Sequence, residues 1–335
     1  MRVSVSGAGI AGLTCALELA ARGAQVEVFE RAAAPGTEGC SWFAGGMLAP
    51  WCERESSPEL ITQLGLEGID WWRAHFPATQ LQGTLVLAPA RDQGELVQFA
   101  RRSGAGESLD GAGVARLEPE LAGRFSSGLY FAGEGHLDPR AALSALSARL
   151  RALGVPIHFG REAPASDPAR ARLECRGLAA RDALPGLRGV KGEMLLLKLP
   201  ELTLTRPVRL LHPRLPVYVV PRGGGLYMVG ASMIESDQAT RVSARSLLEL
   251  LAAACALHPA FGEAEVLELG TGVRAAYPDN LPRLSWVGGA LHVNGLYRHG
   301  FLIAPALARR AAEHLLAGAS FPEVMHEDPG QRRLA

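Results

Sequence analysis

Gly7, Gly9 and Gly12 stand in GxGxxG spacing, with Glu30 about 20 residues further on. In that spacing the first glycine permits a tight turn and the second lets backbone approach a pyrophosphate. The third lets a helix lie close to the strand before it. Glu30 stands where a ribose hydroxyl needs a carboxylate. Ala8, Ile10, Ala11 and Arg31 complete the set expected against such a ligand. The chemistry is capture of an adenine dinucleotide by backbone N–H groups at a helix N-terminus. Taken alone, the triplet also fits a glycine-rich turn in an ordinary parallel α/β unit; strand before, helix after and acid beyond supply the fuller context.

The elements around that turn follow from periodicity. Residues 2–6 read as a strand, a helix starts near Ile10, and a second strand ends at Glu30. A Pro/Gly loop, 31–37, leads to the charge-poor run Cys40 to Pro50, CSWFAGGMLAP. Its small residues suit backbone pressed against a flat ligand, or a buried turn. Helical spacing over 58–75 places Leu60, Leu64, Ile69 and Trp72 on one stripe, with Trp71 and Trp72 assigned to the core. Further helices are expected at 93–102, 138–153 with Asp138 as N-cap and Pro139 at the first position, 243–257 and 300–316. Strands are expected at 83–89, 128–132, 155–159, 172–175, 193–199, 206–211, 217–220, 226–230, 266–270 and 291–293. Those at 217–220 and 226–230 form a hairpin through Arg222 to Gly225.

The chain has 335 residues, 48% of them apolar, enough for about two domains. Acids and bases balance at 34 each, which excludes an electrostatic footprint for nucleic acid or an anionic membrane. Lys191 and Lys198 are the only lysines. Cys15, Cys40, Cys52, Cys175 and Cys255 are scattered and suggest neither a disulfide framework nor a zinc site. A strand directly after Met1, and no apolar run of membrane-spanning length, read as a cytoplasmic protein.

A nicotinamide enzyme would follow its first strand–helix–strand unit with further parallel repeats. Here the chain leaves for a mixed sheet and returns at its end, which fits FAD better. At GAGIAG (7–12), SWFAGGMLAPWCE (41–53), CRGLAAR (175–181), GVKGEM (189–194), YVVPR (218–222), VGASM (229–233), GVRAAYPDNLP (272–282) and NGLYRHGFLIAPAL (294–307), the sequence resembles the D-amino acid oxidase family of flavoproteins, and within it the glycine oxidases of thiamin biosynthesis. The resemblance spans nearly the whole chain. It implies an α/β and α+β architecture, a Rossmann-like FAD-binding domain (1–80, 136–188 and 283–335) interrupted by a mixed or antiparallel-sheet substrate domain (81–135 and 189–282). It also implies a homo-oligomer, dissociable FAD, and a possible contact with a thiazole synthase.

Position by position, the resemblance implies that Arg274 grips the substrate carboxylate, Tyr218 donates a hydroxyl to it, and Arg298 lies beside substrate and flavin. Met47 and Met233 would line the pocket, and Glu53 would sit in a loop covering it. Further cofactor contacts are implied at Ser41, Ala44, Gly45, Gly46 and Met47, at Arg176 and Gly177, and at Arg298, His299, Gly300, Phe301 and Leu302. The chain departs from better-known glycine oxidases at Pro216, where some carry histidine, and at Ala275 and Ala276 after Arg274, where Pro-Gly is usual.

A guanidinium holds a carboxylate in a two-point fork, which orients Cα for hydride transfer to flavin N5 better than a lysine point charge would. A structural salt bridge is the competing role in a chain so rich in arginine. No histidine or carboxylate stands out as a base; His299 is weighed against packing, and His212 and His292 have no partner signal. The amine is expected to lose its proton on entering a poorly solvated pocket. The 294–303 turn leads into the last helix, whose positive end would face the N1 and C2 carbonyl edge of the flavin. The expected reaction takes a small amino acid and O2 to an oxo acid, ammonia and hydrogen peroxide. A D-amino acid oxidase or dehydrogenase, a sarcosine oxidase and a non-catalytic flavin scaffold are the alternatives.

Overall fold

The computed structural model describes residues 1–164, 169–211 and 216–326; His212 lies outside them. Arg2–Ser6 alternates little and is buried on both faces, as a central parallel strand should be. It pairs in parallel with Gln25–Glu30 on one side and Ala171–Glu174 on the other. Ile157–Phe159 and Ala290–Asn294 extend these parallel pairs outward, and Arg283–Val287 closes the six-stranded sheet as an antiparallel edge. Its strands thus come from the first 30 residues, from 157–174 and from 283–294.

Helices Ile10–Ala21, Glu59–His75, Pro139–Ala152 and Gly300–Ala317 pack around this sheet and share one core, with Trp72 fully buried against Phe301. The Trp72 indole N–H donates to the Phe301 carbonyl at 2.7 Å, which satisfies its polar atom inside the core. Trp71 is only partly buried and donates to Glu18 at 2.6 Å. Asp138 caps its helix, accepting from the Arg140 and Ala141 N–H groups, with Pro139 at the first position.

The second sheet has nine strands, drawn from 84–131 and 188–276. Its neighbours run antiparallel except Thr84–Leu87 beside Val208–Leu210, which are parallel. The hairpin Val217–Gly223/Leu226–Gly230 turns at glycines of positive φ. Two strands run longer than their hydrophobic runs suggest: Arg188–Lys198 and Glu265–Ala276. They pair along their whole length, so Arg274 sits on a strand opposite Val190. The short helices Pro50–Arg54 and Gly111–Leu117 and the strand Arg283–Val287 lie outside the expected elements.

Candidate active site

The glycine turn joins the first strand to the first helix. Gly7 has φ +100°, and a Cβ there would lie 2.6 Å from the Cys175 carbonyl oxygen; one on Gly12 would run into the Gly7 carbonyl. Both positions therefore need glycine for the fold. Gly9 differs. Its φ of −75° suits any residue, and an added Cβ would meet only the Ser41 hydroxyl, at 3.3 Å. The space left bare there opens onto a cleft, as close approach by a ligand requires. Glu30 accepts from the Ala8 N–H at 2.6 Å and the Ala32 N–H at 2.9 Å, fixing the turn from below.

Two cavities meet at this turn, with Cys175 bordering both. One takes in Gly7, Glu30, Arg31 and Arg176; the other takes in Gly9, Ile10 and Ala11 and reaches across to the nine-stranded sheet. Arg176 is held by Glu174 and Asp182. The run from Cys40 forms a short 3-10 turn and then extended backbone, and Ser41, Ala44, Gly45, Gly46 and Met47 line the second of these, the cleft between the two sheets. Gly177, Arg298, Gly300 and Phe301 line it too. Ala8 and Gly12 are packed behind the turn, Leu302 points into the core, and the His299 ring faces Ser57 and Glu53 instead of the cleft. Two adjoining cavities, a bare glycine at the turn between them and a helix N-terminus at Gly300 fit an adenine dinucleotide with its flat ring in the cleft against the nine-stranded sheet.

Three arginines meet there. Arg298 pairs with Glu53 at 2.7 Å, and Arg209 pairs with Glu55 at 3.4 Å. Arg274 alone of the three faces no carboxylate among the described residues: its Nη1 donates to the Ser232 carbonyl at 3.2 Å. It can lie flat across the sheet because Gly192 has no side chain; a Cβ there would collide with the guanidinium. Burial outweighs the attraction of Glu53 and pulls its pKa below the ordinary arginine value, so an incoming anion would stabilise a charge that no carboxylate contacts directly among the described residues.

Glu53 departs from expectation. It lies on the helix Pro50–Arg54, buried, and not in a covering loop. Burial pushes its carboxyl up, but Arg298, His299 and Arg209 together outweigh it and hold the group at about 2. Burial, outweighing the attraction of Glu53, pushes His299 down to about 4. The Tyr218 hydroxyl, raised well above its ordinary value by burial, stays protonated and donates to Glu53 at 3.4 Å. Met47, Met233 and Pro216 line the cleft; Met233 is half exposed at its mouth, its sulfur 3.6 Å from both the Tyr297 hydroxyl and Arg298 Nη1.

Sequence reasoning passed over Arg209 and Met228 of this cleft, and took in Cys40, Phe43 and Tyr297 only as members of longer runs. Arg209 had a signal, being the charged residue inside the buried strand Val208–Leu210. Tyr297 adopts φ +50°, uncommon for a large side chain, and nothing in its composition marks that.

A sequence model of the family described as FAD dependent oxidoreductase matches residues 2–314. A Rhizobium etli protein carrying the name thiamine biosynthesis oxidoreductase ThiO is 54% identical over 96% of this chain and 99% of its own length. The Nostoc bifunctional protein ThiO/ThiG is 26% identical over 97% of this chain, which spans about half (54%) of that protein. The glycine oxidase of Geobacillus kaustophilus is 26% identical over 90% of this chain and 89% of its own. The crystal structure of that oxidase shares the fold, with a TM-score of 0.80 over 96% of each chain at 23% identity.

Proposed function

This chain belongs to the FAD dependent oxidoreductase family, and from that premise we propose that it oxidises glycine and similar small amino acids. The products would be an imine, hydrolysed to an oxo acid such as glyoxylate plus ammonia, and hydrogen peroxide. When bound, FAD supplies the hydride acceptor and passes the electrons to oxygen. The names of the relatives in R. etli and G. kaustophilus support both the substrate and a place in thiamin synthesis. The Nostoc fusion, in which the matching half is joined to a second activity, supports contact with a thiazole synthase.

The observation that carries the reading is Arg274, a cation of the cleft that forms no ion pair among the described residues. A substrate carboxylate placed in its fork, with the Tyr218 hydroxyl as a further donor, holds Cα at a fixed distance and angle. Gly7 to Gly12, Glu30 and the N-terminus of the Gly300–Ala317 helix would hold FAD, the residues of 1–80, 136–188 and 283–335 acting as its domain and the rest as a substrate domain. Glu53 at about 2 is too weakly basic, and His299 at about 4 lies behind the wall. The substrate ammonium thus loses its proton on leaving water.

Oxygen uptake by the FAD-loaded protein with glycine, sarcosine and D-alanine, against dye reduction under nitrogen, tests this. Peroxide formation with glycine supports an oxidase. Turnover only with dye would make it a dehydrogenase, and none with any amine would refute the reading.

A further inference from the structure

We propose that Arg209 is a positioning residue that sets the direction of the Tyr218 proton, so that this hydroxyl can act only as a donor to the substrate carboxylate. The inference rests on the reading of Tyr218 given above and adds a residue to it. Arg209 and Tyr218 are directly opposite one another on the antiparallel strands Val208–Leu210 and Val217–Gly223, and both border the cleft. Arg209 is 6% exposed, with its guanidinium stacked 4.9 Å from the Phe99 ring centre and 5.3 Å from that of Tyr218.

Its Nη1 donates to the Tyr218 oxygen at 3.2 Å and to the Cys52 carbonyl at 3.1 Å. A guanidinium has no acceptor atom. The Tyr218 oxygen must therefore receive from Arg209, and the single phenolic proton is left for another partner. In this structure that partner is Glu53, at a long 3.4 Å. A substrate carboxylate held by Arg274 is a competing acceptor, and one that arrives without its own proton.

Arg209 also fixes where that proton can go. Its bonds to the Cys52 carbonyl and, through Nη2, to Glu55 pin the segment that carries Glu53. Without it the hydroxyl could turn its lone pair toward the carboxylate site, where lone pair would face anion.

Calorimetric titration of the FAD-loaded enzyme with acetate, a carboxylate without an amine, tests this in a double-mutant cycle of Arg209→Met and Tyr218→Phe. The expected result is a loss of about tenfold in acetate affinity for each single variant, and no further loss in the double. Glycine KM should rise in parallel with a much smaller change in kcat. Arg209→Lys, which keeps a donor, should recover most of the loss. If Tyr218→Phe weakens acetate and Arg209→Met leaves it unchanged, or the two losses multiply, Arg209 is merely structural and the proposal falls. If Tyr218→Phe itself has no effect, the reading of Tyr218 fails first and takes the proposal with it. Should Arg209→Met lose FAD, Arg209→Gln, whose amide oxygen can accept the phenolic proton, takes its place in the cycle, with Arg209→Lys again as the rescue.

Discussion

The two walls of the cleft do their work with opposite materials. On the side of the six-stranded sheet the working surface is backbone, bare at Gly9 and brought into place by a turn that Gly7 and Gly12 allow to close. On the side of the nine-stranded sheet it is long charged side chains, whose roles depend on which of them is already paired. A missing side chain acts the same way wherever the turn forms, so the first wall is written locally. A guanidinium acts according to its neighbours: on this wall Arg209 is tied to Glu55 and Arg274 to a carbonyl only, while Arg298, on the loop before the last helix, is tied to Glu53. The lesson is that one wall is specified by spacing and the other by subtraction.

Substitutions within the glycine turn probe the first wall and should have the largest effect. Gly12→Val drives a side chain into the Gly7 carbonyl and should leave no folded, flavin-binding protein, as circular dichroism and bound FAD would show. Gly9→Val should keep its melting curve close to the parent's and still lose FAD, since little protein stands in its way. Equal collapse in both variants would erase the distinction between a glycine needed by the fold and one needed by the ligand.

Next comes subtraction itself. Arg274→Ala should retain yellow FAD and lower kcat/KM for glycine by about a thousandfold, about 4 kcal/mol, as expected for removing one partner of a desolvated ion pair. Arg274→Lys should restore only part, because a point charge lacks the fork. Steady-state kinetics on both variants would settle the order.

Behind the cleft lies the buried Glu134, whose carboxylate accepts from the Trp51 and Cys52 N–H groups at 2.8 Å and so anchors the helix that carries Glu53. Burial outweighs those bonds and raises its pKa to about 7. A carboxyl raised in the fold contributes stability that is complete below its unfolded value near 4.5 and disappears as pH climbs through 7. Glu134→Gln keeps an acceptor without the charge. Its stability relative to the parent should therefore rise between pH 4.5 and 7, by about 3 kcal/mol at most, and stay level above. Denaturant melts across that range are the measurement, and a flat difference would contradict the raised value. The smallest expected effect is Tyr218→Phe, about a tenfold rise in glycine KM from one lost hydrogen bond, read from initial rates.

Legibility followed the same division. The strand–turn–helix–strand start, the capped helix after Asp138 and the 217–230 hairpin could be read because caps, prolines and glycines act within a few residues. The full length of Glu265–Ala276 could not: its exposed Val266, Leu267 and Leu269 mask the alternation, and pairing with Arg188–Lys198 decides it. Helix Pro50–Arg54, only five residues long, has too short a period to register. In the site, the glycines and Met47 were visible in the sequence. The paired state of Glu53 was not, because it depends on elements far apart in the chain, whereas Arg209 carried an unread signal as the charge inside the buried strand Val208–Leu210.

The central claim is that an amino acid, held by Arg274, delivers hydride inside this cleft. Rapid anaerobic mixing of the FAD-loaded protein with glycine tests it most directly. Saturable bleaching of the flavin absorbance in the parent, with the Arg274→Ala protein staying yellow at the same concentrations, is the result predicted. A parent that stays yellow at every glycine concentration, or an Arg274→Ala protein that bleaches at the parent's rate, would contradict it.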